Sequence, residues 1–515
     1  MNKRILAIFL AAACLVCLLA GCKGEATPEQ DPVSSENAPS TQGNTRENVL
    51  NVGISQDLDN SLDPFTMTAA GTREVMFNVF EGLVKADSDG DYYDAVASER
   101  TVSEDGLTYT FQLRDNVVFH NGNACTLEDV LYSFDTCAAT TTTSAVAAAL
   151  SAAHWSGEGS TLTVTLDAPN PDFLSCVACV YIVPKDYADQ ATAPIGTGPF
   201  KFVSRSVQEN VILAKNEAYY GIPASLDGVN YRVYEDNNAL FTALDSGSLD
   251  LVAHLTSDQV ANLSNGYDVL EGTMNLVQAI FLNNDVAPFD NQLVRQAMCY
   301  AIDVQAMLDL TSDGHGTPVG SAMYPNFGKY FDAELANAYP HDVEKAKALL
   351  TEAGYPEGFT FTIKVPSNYT PHVNTAMVLA QQLKEVGITA EISQVDWNTW
   401  LTDVYSARDY EGTVCGFDAS VLTASAMLAR YCSDSSKNMF NYANAEFDET
   451  YAAAQATTDD EEQTALYRRC LEILSETAAN VYTQDLADFV ALNPEFEGFT
   501  FYPMYVIDMS KIYLK

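Results

Sequence analysis

Helical and strand-like patterns alternate regularly in the second half of the chain, and this alternation limits the fold more than any other feature. Asp342 can cap an amphipathic helix that stops at Gly354. Apolar residues then alternate over 359–365, a helical stripe leads from Val373 to a stop at Gly387, and 388–395 is strand-like again. Helices that alternate with strands in this way pack on a sheet, so we predict an α/β fold.

The first half of the chain is richer in strands. Alternating apolar residues predict strands over 49–54, 107–113 and 162–166. Thr126 is placed to cap a helix, with an acidic residue three positions later. The Thr- and Ala-rich stretch 140–153 indicates no particular structure, and no repeat of fixed period is found.

The N-terminus carries an export signal. Lys3 and Arg4 precede an apolar run over 5–20 that is shorter than the ~20 residues a membrane-spanning helix needs. We therefore predict a signal peptide over residues 1–21. The sequence LAGC that ends at Cys22 resembles the lipobox of bacterial lipoproteins, which implies a lipid on Cys22 and a chain anchored to the membrane without crossing it.

Residues 22–47 are polar and hold almost no large apolar side chains, which predicts a disordered tether. About 465 residues follow, more than a single ordinary core, so two or more lobes are expected. The net charge is −43, with 26 basic and 69 acidic residues, and this balance argues against nucleic-acid binding.

Eleven cysteines are present, three of them at or before Cys22. Export would permit disulfides among the other eight, but their pairing cannot be deduced from sequence. Cys176 and Cys179 form a CxxC inside an apolar stretch without a second CxxC or a neighbouring His. We interpret them as small buried hydrophobic residues rather than metal or redox ligands.

No enzyme signature is recognisable. Gly196-Thr197-Gly198-Pro199 lacks the Gly-Lys-Ser/Thr ending of a phosphate loop and precedes a strand, so it is interpreted as a tight turn. The six His are scattered, and no G-x-S-x-G is present. We expect no catalysis, no metal site and no cofactor.

Motifs of a known family follow one another from about Val49 to about Tyr502. They are Ser61-Leu62-Asp63-Pro64, Phe80-Glu81-Gly82-Leu83, LTYTFQLRDNVVFHNGNACTLEDVLYSFD at 107–135, GTGPFKF at 196–202, NEAYYG at 216–221, ALDSGSLDL at 243–251, PFDNQLVRQAMCYAID at 288–303 and EKAKALLTEAGYPEGF at 344–359. In number and order they resemble the bacterial extracellular solute-binding protein family 5, which includes the oligopeptide-, dipeptide- and nickel-binding proteins of ABC importers.

The resemblance implies a two-lobed type II periplasmic-binding-protein fold with an extra subdomain in the first lobe. The chain is expected to cross between the lobes near 276–284 and 482–491, and to close around a ligand by hinge motion. The expected limits are these: signal peptide 1–21, tether 22–47, lobe I 48–95 with 190–278 and 484–515, extra subdomain 96–189, and lobe II 279–483.

Peptide-binding members of the family commonly pair the ligand's amine with the Asp of a W-x-A-D motif. Here Phe417 stands in place of the Trp and Ser420 in place of the Asp, while Asp418 lies two residues earlier. Strand periodicity would place Asp418 and Ser420 on one face, so Asp418 is our candidate for the amine. The family's basic residues after the strand at 359–365 are absent, and Tyr369, His372 and Asn374 occupy that region instead.

Two further groups are candidate ligand contacts by resemblance. Trp397 matches an aromatic that lines the cleft, the alternative being a core Trp that anchors the next helix. Thr66, Met67 and Thr68 match a loop that touches ligand in relatives, the alternative being a plain surface loop.

Together these features predict a monomeric, lipid-anchored, extracytoplasmic protein that captures short peptides and delivers them to an ABC permease and its ATPase. A non-peptide solute, such as a nickel chelate, is the alternative cargo. A ligand sensor that acts without import is the alternative function.

Overall fold

Two large mixed sheets organise this computed structural model, which describes residues 47–515 except 142, 235, 265, 368, 420 and 458. The predicted signal peptide, Cys22 and almost all of the predicted tether lie outside the described residues, as does Ser420. Asn48–Lys515 is one compact unit. Across the described residues, no helix combines the length and the apolar character needed to cross a bilayer.

The chain up to Thr273 supplies most of the first sheet and a smaller sheet. Its strands are β1 Val49–Ile54, β2 Val84–Ala86, β3 Tyr92–Asp94, β4 Ala97–Val102, β5 Thr108–Leu113, β6 Ala153–Glu158, β7 Thr161–Leu166, β8 Phe200–Ser206, β9 Asn210–Lys215, β10 Gly228–Val233, β11 Leu251–Leu255 and β12 Asp268–Thr273. Its helices are α1 Ala70–Met76, α2 Leu127–Thr140, α3 Ser144–Ser151, α4 Phe173–Ala178, α5 Asn237–Asp245 and α6 Ser257–Ala261.

The chain from Leu276 to Asp485 builds the second sheet and its helices. The strands are β13 Leu276–Leu282, β14 Thr317–Pro318, β15 Thr360–Pro366, β16 Thr389–Val395, β17 Gly412–Asp418 and β18 Val481–Asp485. The helices are α7 Gln292–Ala301, α8 Val304–Ser312, α9 Val343–Glu352, α10 Thr370–Leu383, α11 Trp397–Thr399, α12 Ala424–Leu428, α13 Ala445–Ala456 and α14 Asp460–Glu476. Shorter turns of helix lie at Pro325–Tyr330, Ala333–Asn337, Lys384–Val386, Trp400–Ser406 (a π-helical turn) and Ala429–Tyr431.

The C-terminal stretch returns to the first sheet with β19 Ala487–Leu492. It then forms a separate two-stranded sheet from β20 Phe496–Glu497 and β21 Tyr513–Leu514, with a helical turn at Met509–Lys511 between them. The first sheet has the order β12-β19-β11-β1-β10-β9-β8, and the second has β14-β18-β13-β17-β15-β16. We call the halves built on them the first and second lobe. A separate sheet, β4-β5-β7-β6, packs against the first lobe's hydrophobic core together with α2.

The chain passes between the two sheets twice, between β12 and β13 and between β18 and β19. Only Met274 and Asn275 separate the first pair of strands, and Leu486 alone separates the second. Two short connections side by side suit the hinge of a two-lobed binding protein.

Local sequence signals predicted many of these elements. Asp342 accepts a hydrogen bond from the backbone N of Lys345 and caps α9, as expected. Thr126 and Asp129 form a capping box at the start of α2. The predicted helical stripe begins a few residues earlier than expected, at Thr370, and stops at Gly387, whose φ of 87° is left-handed.

The second sheet is covered by apolar side chains on both faces. On one face Val277, Ala279 and Phe281 of β13 join a cluster with α14 residues such as Leu471. On the other face Ile280 and Leu282 join a cluster with α7 and α10. A central sheet covered on both faces is the α/β arrangement predicted from the alternation of elements.

Candidate ligand-binding cleft

The carboxyl ends of three parallel strands meet at one edge of the second sheet. β15 pairs in parallel with β16, with Pro366 opposite Val395, and with β17, with Lys364 opposite Thr413. The residues that follow these strands therefore lie at the same edge. Tyr369, Trp397 and Asp418 all sit there, and in open α/β sheets this edge is where ligands bind.

Trp397 presents an exposed aromatic surface at this edge. It is 39% exposed and stacks on Trp400 with ring centroids 5.1 Å apart and planes 6° apart. Trp400 is buried and donates its indole N–H to the Thr413 hydroxyl over 3.0 Å. Tyr369 meets Trp397 edge-on at 5.5 Å. Trp400 is thus the core residue, and it holds Trp397 as a fixed platform.

Phe417 lies on the same side of the sheet as Trp400. It is partly buried and packs edge-on against Phe281, with centroids 4.8 Å apart. The guanidinium of Arg430 lies 4.6 Å from the centre of the Phe417 ring. Phe417 therefore connects the second lobe's core to a cation at the edge of the sheet.

Asp418 ends β17 opposite Leu276 of β13. Because side chains alternate along a strand, Asp418 and Phe417 point to opposite faces, so the structure does not group them in one patch. Burial raises the pKa of Tyr505 well above its usual value, and the charges of Glu74, Asp488 and Asp418 raise it further. The charges of acidic groups from both lobes thus act on Tyr505.

The segment that follows Asp418 touches both lobes. Val421 is buried in the first lobe's hydrophobic cluster. Leu422 reaches the turn between β2 and β3, where its Cδ2 would be 3.2 Å from a Cβ placed on Gly90. The second-lobe edge that carries Asp418 therefore lies at the junction of the two lobes, which is where a type II binding protein holds its ligand.

The loop at Thr66–Thr68 divides into two kinds of residue. Met67 is buried in the first lobe's core. Thr66 and Thr68 are exposed, and the Thr66 hydroxyl lies 3.1 Å from that of Ser61. The backbone N of Thr68 donates to Asp59 over 2.7 Å. Of this loop, the two threonines present side chains to solvent.

His372 is part of a buried hydrogen-bond network. Burial lowers the pKa of His372 to about 4, so its ring is neutral and Nδ1 accepts from the Gln278 amide over 2.8 Å. The Gln278 carbonyl oxygen accepts from Thr375 and Gln484. Asn374, two residues after His372 on α10, is exposed.

Sequence reasoning missed a charged cluster on the first-lobe side. His254 Nε2 lies 3.2 Å from Glu74, and Nδ1 lies 3.1 Å from Asp488. The imidazole is 25% exposed and each carboxylate 9%. Burial acts to lower the pKa of His254, but the two carboxylates override it and raise the pKa well above its usual value. The ring also stacks on Tyr505 at 4.4 Å.

An irregularity in β11 aims His254 at this cluster. The register of β11 against β19 shifts between Val252 and Leu255, and His254 has a φ of 60°. Bulges commonly re-aim a side chain next to a functional site. A small cavity of about 20 Å³, room for roughly one water, adjoins His254 and Asp488 and reaches Asn275 at the hinge.

A carboxylate is also buried at the hinge itself. Asp485 ends β18 with no exposed surface, and its Oδ1 accepts from the backbone N of Leu276 over 3.1 Å. Its Oδ2 has no hydrogen-bond partner within the described part of the chain. Burial raises the pKa of Asp485 to about 7.

The chain belongs to the bacterial extracellular solute-binding proteins, family 5, whose model matches residues 91–439. The predicted family and the two-lobed α/β fold are thereby confirmed. Members of this family bind solutes for transport and work outside the cytoplasm. This protein is therefore an extracytoplasmic solute-binding protein and not an enzyme.

Three relatives show how far the likeness extends. The glutathione-binding protein GsiB of Salmonella typhi is 28% identical over 447 residues, which cover 80% of this chain and 84% of that protein. DppA from Helicobacter pylori, an ABC transporter-associated periplasmic binding protein solved with the peptide STSA, has a TM-score of 0.77 at 26% identity and covers 90% of this chain and 98% of its own. The ABC transporter substrate-binding protein CtaP from Listeria monocytogenes has a TM-score of 0.81 at 24% identity, and the match covers 90% of this chain and 99% of CtaP.

Proposed function

We propose that this protein captures short peptides in the cleft between its lobes and delivers them to the permease and ATPase of an ABC importer. One observation carries this proposal: the edge of the second sheet that bears Asp418 lies at the junction of the two lobes. Trp397 presents an exposed aromatic surface at the same edge. GsiB and DppA, whose names and complexes concern glutathione and a peptide, support a peptide-like ligand.

The acidic surroundings of Tyr505 suit the amine of a peptide. Asp418 comes from the second lobe, and Glu74 and Asp488 from the first. Protonated His254 offsets only one of these three negative charges, so the group remains net negative. A cationic ligand end would be stabilised there, because a partly buried carboxylate is costly unless it is paired.

The peptide proposal predicts a loss of affinity when Asp418 is neutralised. Asp418→Asn should weaken binding of a free-amine tripeptide by ~2 kcal/mol or more, because the ligand's charge is left unpaired. The N-acetylated tripeptide should lose far less. Calorimetric titration of both ligands measures the difference.

Asp409→Asn is the matched control, since Asp409 is 83% exposed and precedes the opposite end of β17. Asp409→Asn should change the affinity for neither the free-amine nor the N-acetylated tripeptide. Equal losses for the two ligands in Asp418→Asn, or no loss, would show that Asp418 is structural and that the amine is bound elsewhere.

The remaining features of the site extend this proposal. Trp397 and Phe417 contact the bound ligand, and the hydroxyls of Thr66 and Thr68 face it from the first lobe. Ser420, which lies outside the described residues, stays a predicted ligand contact by its place in the sequence motif. The lobes divide at the limits expected from the family, with 96–189 as the extra subdomain, and the protein acts as a monomer.

Anchoring is the second part of the proposal. Cys22 carries lipid, and residues 22–47 tether the binding unit to the membrane. Cys22→Ser should release the protein into the soluble fraction, as measured by membrane fractionation with Cys432→Ser as the control. Unchanged membrane association of Cys22→Ser would contradict the anchor.

A further inference from the structure

A loop of the C-terminal stretch, residues 503–507, lies where the hinge and the two lobes meet. The side-chain amide of the hinge residue Asn275 donates to the Tyr502 carbonyl over 2.7 Å, directly before the loop. The hydroxyl of Tyr324, a buried residue of the second lobe, donates to the Pro503 carbonyl over 3.4 Å. The start of this first-lobe loop is therefore fixed by the hinge and by the opposite lobe.

Tyr505 is the tip of this loop. At the far end, the side-chain amide of Asn78 donates to the Ile507 carbonyl over 2.9 Å. Between the fixed ends, the backbone N of Val506 donates to the Met504 carbonyl over 2.8 Å. A hydrogen bond between residues two positions apart closes a γ-turn, so Tyr505 is the central residue of a tight turn that is held on both sides.

The Tyr505 ring rests on a charged cluster. It stacks on the His254 imidazole with centroids 4.4 Å apart and planes 15° apart. His254 is itself held between Glu74 and Asp488, at 3.2 and 3.1 Å. Because the two carboxylates raise the pKa of His254, its ring is protonated and attracts the face of the phenol. Turn and stacking together fix the direction of the Tyr505 side chain.

The Tyr505 hydroxyl has no hydrogen-bond partner within the described part of the chain, although the side chain is only partly exposed. Buried tyrosines usually find such a partner, as Tyr219 and Tyr220 do by donating to the Glu81 carboxylate. Burial and nearby negative charges raise the pKa of Tyr505 well above its usual value, so its hydroxyl stays protonated. Tyr505 also lines the small cavity that reaches the hinge. A fixed donor thus faces the junction of the lobes.

We propose that Tyr505 is a ligand-binding residue whose hydroxyl donates a hydrogen bond to a carbonyl oxygen of the bound solute. The contact rests on the proposed function, which places the solute between the lobes. A neutral oxygen suits this position better than a carboxylate, because Glu74 and Asp488 leave it net negative even with His254 protonated. Since the donor is fixed beforehand, little conformational freedom is lost when the hydrogen bond forms.

Tyr505→Phe removes the donor while keeping the ring and its stacking on His254. Binding of trialanine, measured by calorimetric titration, should weaken about fivefold. The thermal midpoint without trialanine should not fall, because no hydrogen bond of the free protein is lost. Tyr513→Phe is the matched control, since it loses a hydroxyl that bonds Glu497 at an exposed position, and it should bind trialanine as the wild type does.

Wild-type affinity of Tyr505→Phe for trialanine would overturn the contact and leave the peptide function standing. A lower thermal midpoint in Tyr505→Phe would also overturn it, because the hydroxyl would then stabilise the free protein.

A second measurement separates the contact from the proposed function. Wild type, Tyr505→Phe and Tyr513→Phe are purified from their own host without denaturation, and native mass spectrometry gives the fraction of each that holds a copurified small molecule. If the wild type binds no trialanine but holds a non-peptide solute, the peptide function fails. A lower occupied fraction in Tyr505→Phe alone then supports the contact, and equal fractions overturn it. A wild type that holds neither overturns both.

Discussion

Replacing His254 with asparagine is expected to destabilise the protein by about 3–5 kcal/mol, because it leaves Glu74 and Asp488 without their shared cation. Both carboxylates are 9% exposed, so water compensates them only weakly. Asparagine is preferred to alanine here because it tolerates the left-handed φ of 60° at this position. Urea denaturation followed by far-UV circular dichroism measures the change in free energy of unfolding.

The destabilisation caused by His254→Asn should decrease as the pH rises. Since the folded pKa of His254 is raised, its stabilisation is complete below the ordinary pKa of about 6.5 and is lost as pH rises through the raised value. The gap between wild type and His254→Asn should therefore be largest below pH 6.5 and narrow at alkaline pH. Adding Glu74→Gln to His254→Asn should recover part of the loss.

His154 provides the matched control. It also pairs with a carboxylate, Asp167, but the two side chains are 74% and 59% exposed. His154→Asn should cost less than about 1 kcal/mol, as exposed pairs do. If the two histidine variants cost the same, the cluster around His254 does not have the energetic role assigned to it.

Replacing Asp485 with asparagine is expected to stabilise the protein increasingly as pH rises. The pKa of Asp485 is raised to about 7 in the folded state, whereas an unfolded Asp titrates at about 3.9. Below both values Asp485 is protonated in both states and costs nothing. Once the pH exceeds about 3.9, the unfolded chain loses this proton, whereas the folded state must keep it or bury a charge. Between pH 5 and pH 8 the advantage of Asp485→Asn should grow by roughly 2.5 kcal/mol.

The same denaturation experiment at the two pH values tests this. The Asp485→Asn variant keeps a side-chain oxygen that can accept from the backbone N of Leu276, so the hinge geometry is retained. Asp409→Asn, at an exposed position, should show no comparable pH dependence. An advantage of Asp485→Asn that is constant, or that shrinks from pH 5 to pH 8, would mean that Asp485 is ionised throughout this range.

Local signals in the sequence predicted much of the fold. The caps at Thr126 and Asp342 and the left-handed stop at Gly387 are decided by side chains and backbone preferences within a few residues. No structure was predicted for the stretch 140–153, within which Ser144–Ser151 form α3 and Ala153 begins β6. The Ala-rich composition of this stretch suits a helix. The point where the helix gives way to β6 depends on the pairing of β6 with β7, which is a contact between residues distant in sequence.

The site was less accessible to sequence reasoning. Trp397 follows a strand whose pattern is visible in sequence, whereas Asp418 was chosen by resemblance to the family's motif. Glu74, His254 and Asp488 are separated by 180 and 234 residues, and only the folded first lobe brings them together. Arg430 escaped notice because its contact with the Phe417 ring depends on how the fold brings the two residues together.

Identifying the ligand that copurifies with the protein decides whether it binds peptides. Protein purified without denaturation from its own host is unfolded, and the released small molecules are identified by mass spectrometry. We expect short peptides with a free amine and a free carboxylate. Recovery of a nickel chelate or another non-peptide solute would contradict it, even though the fold and the family would stand.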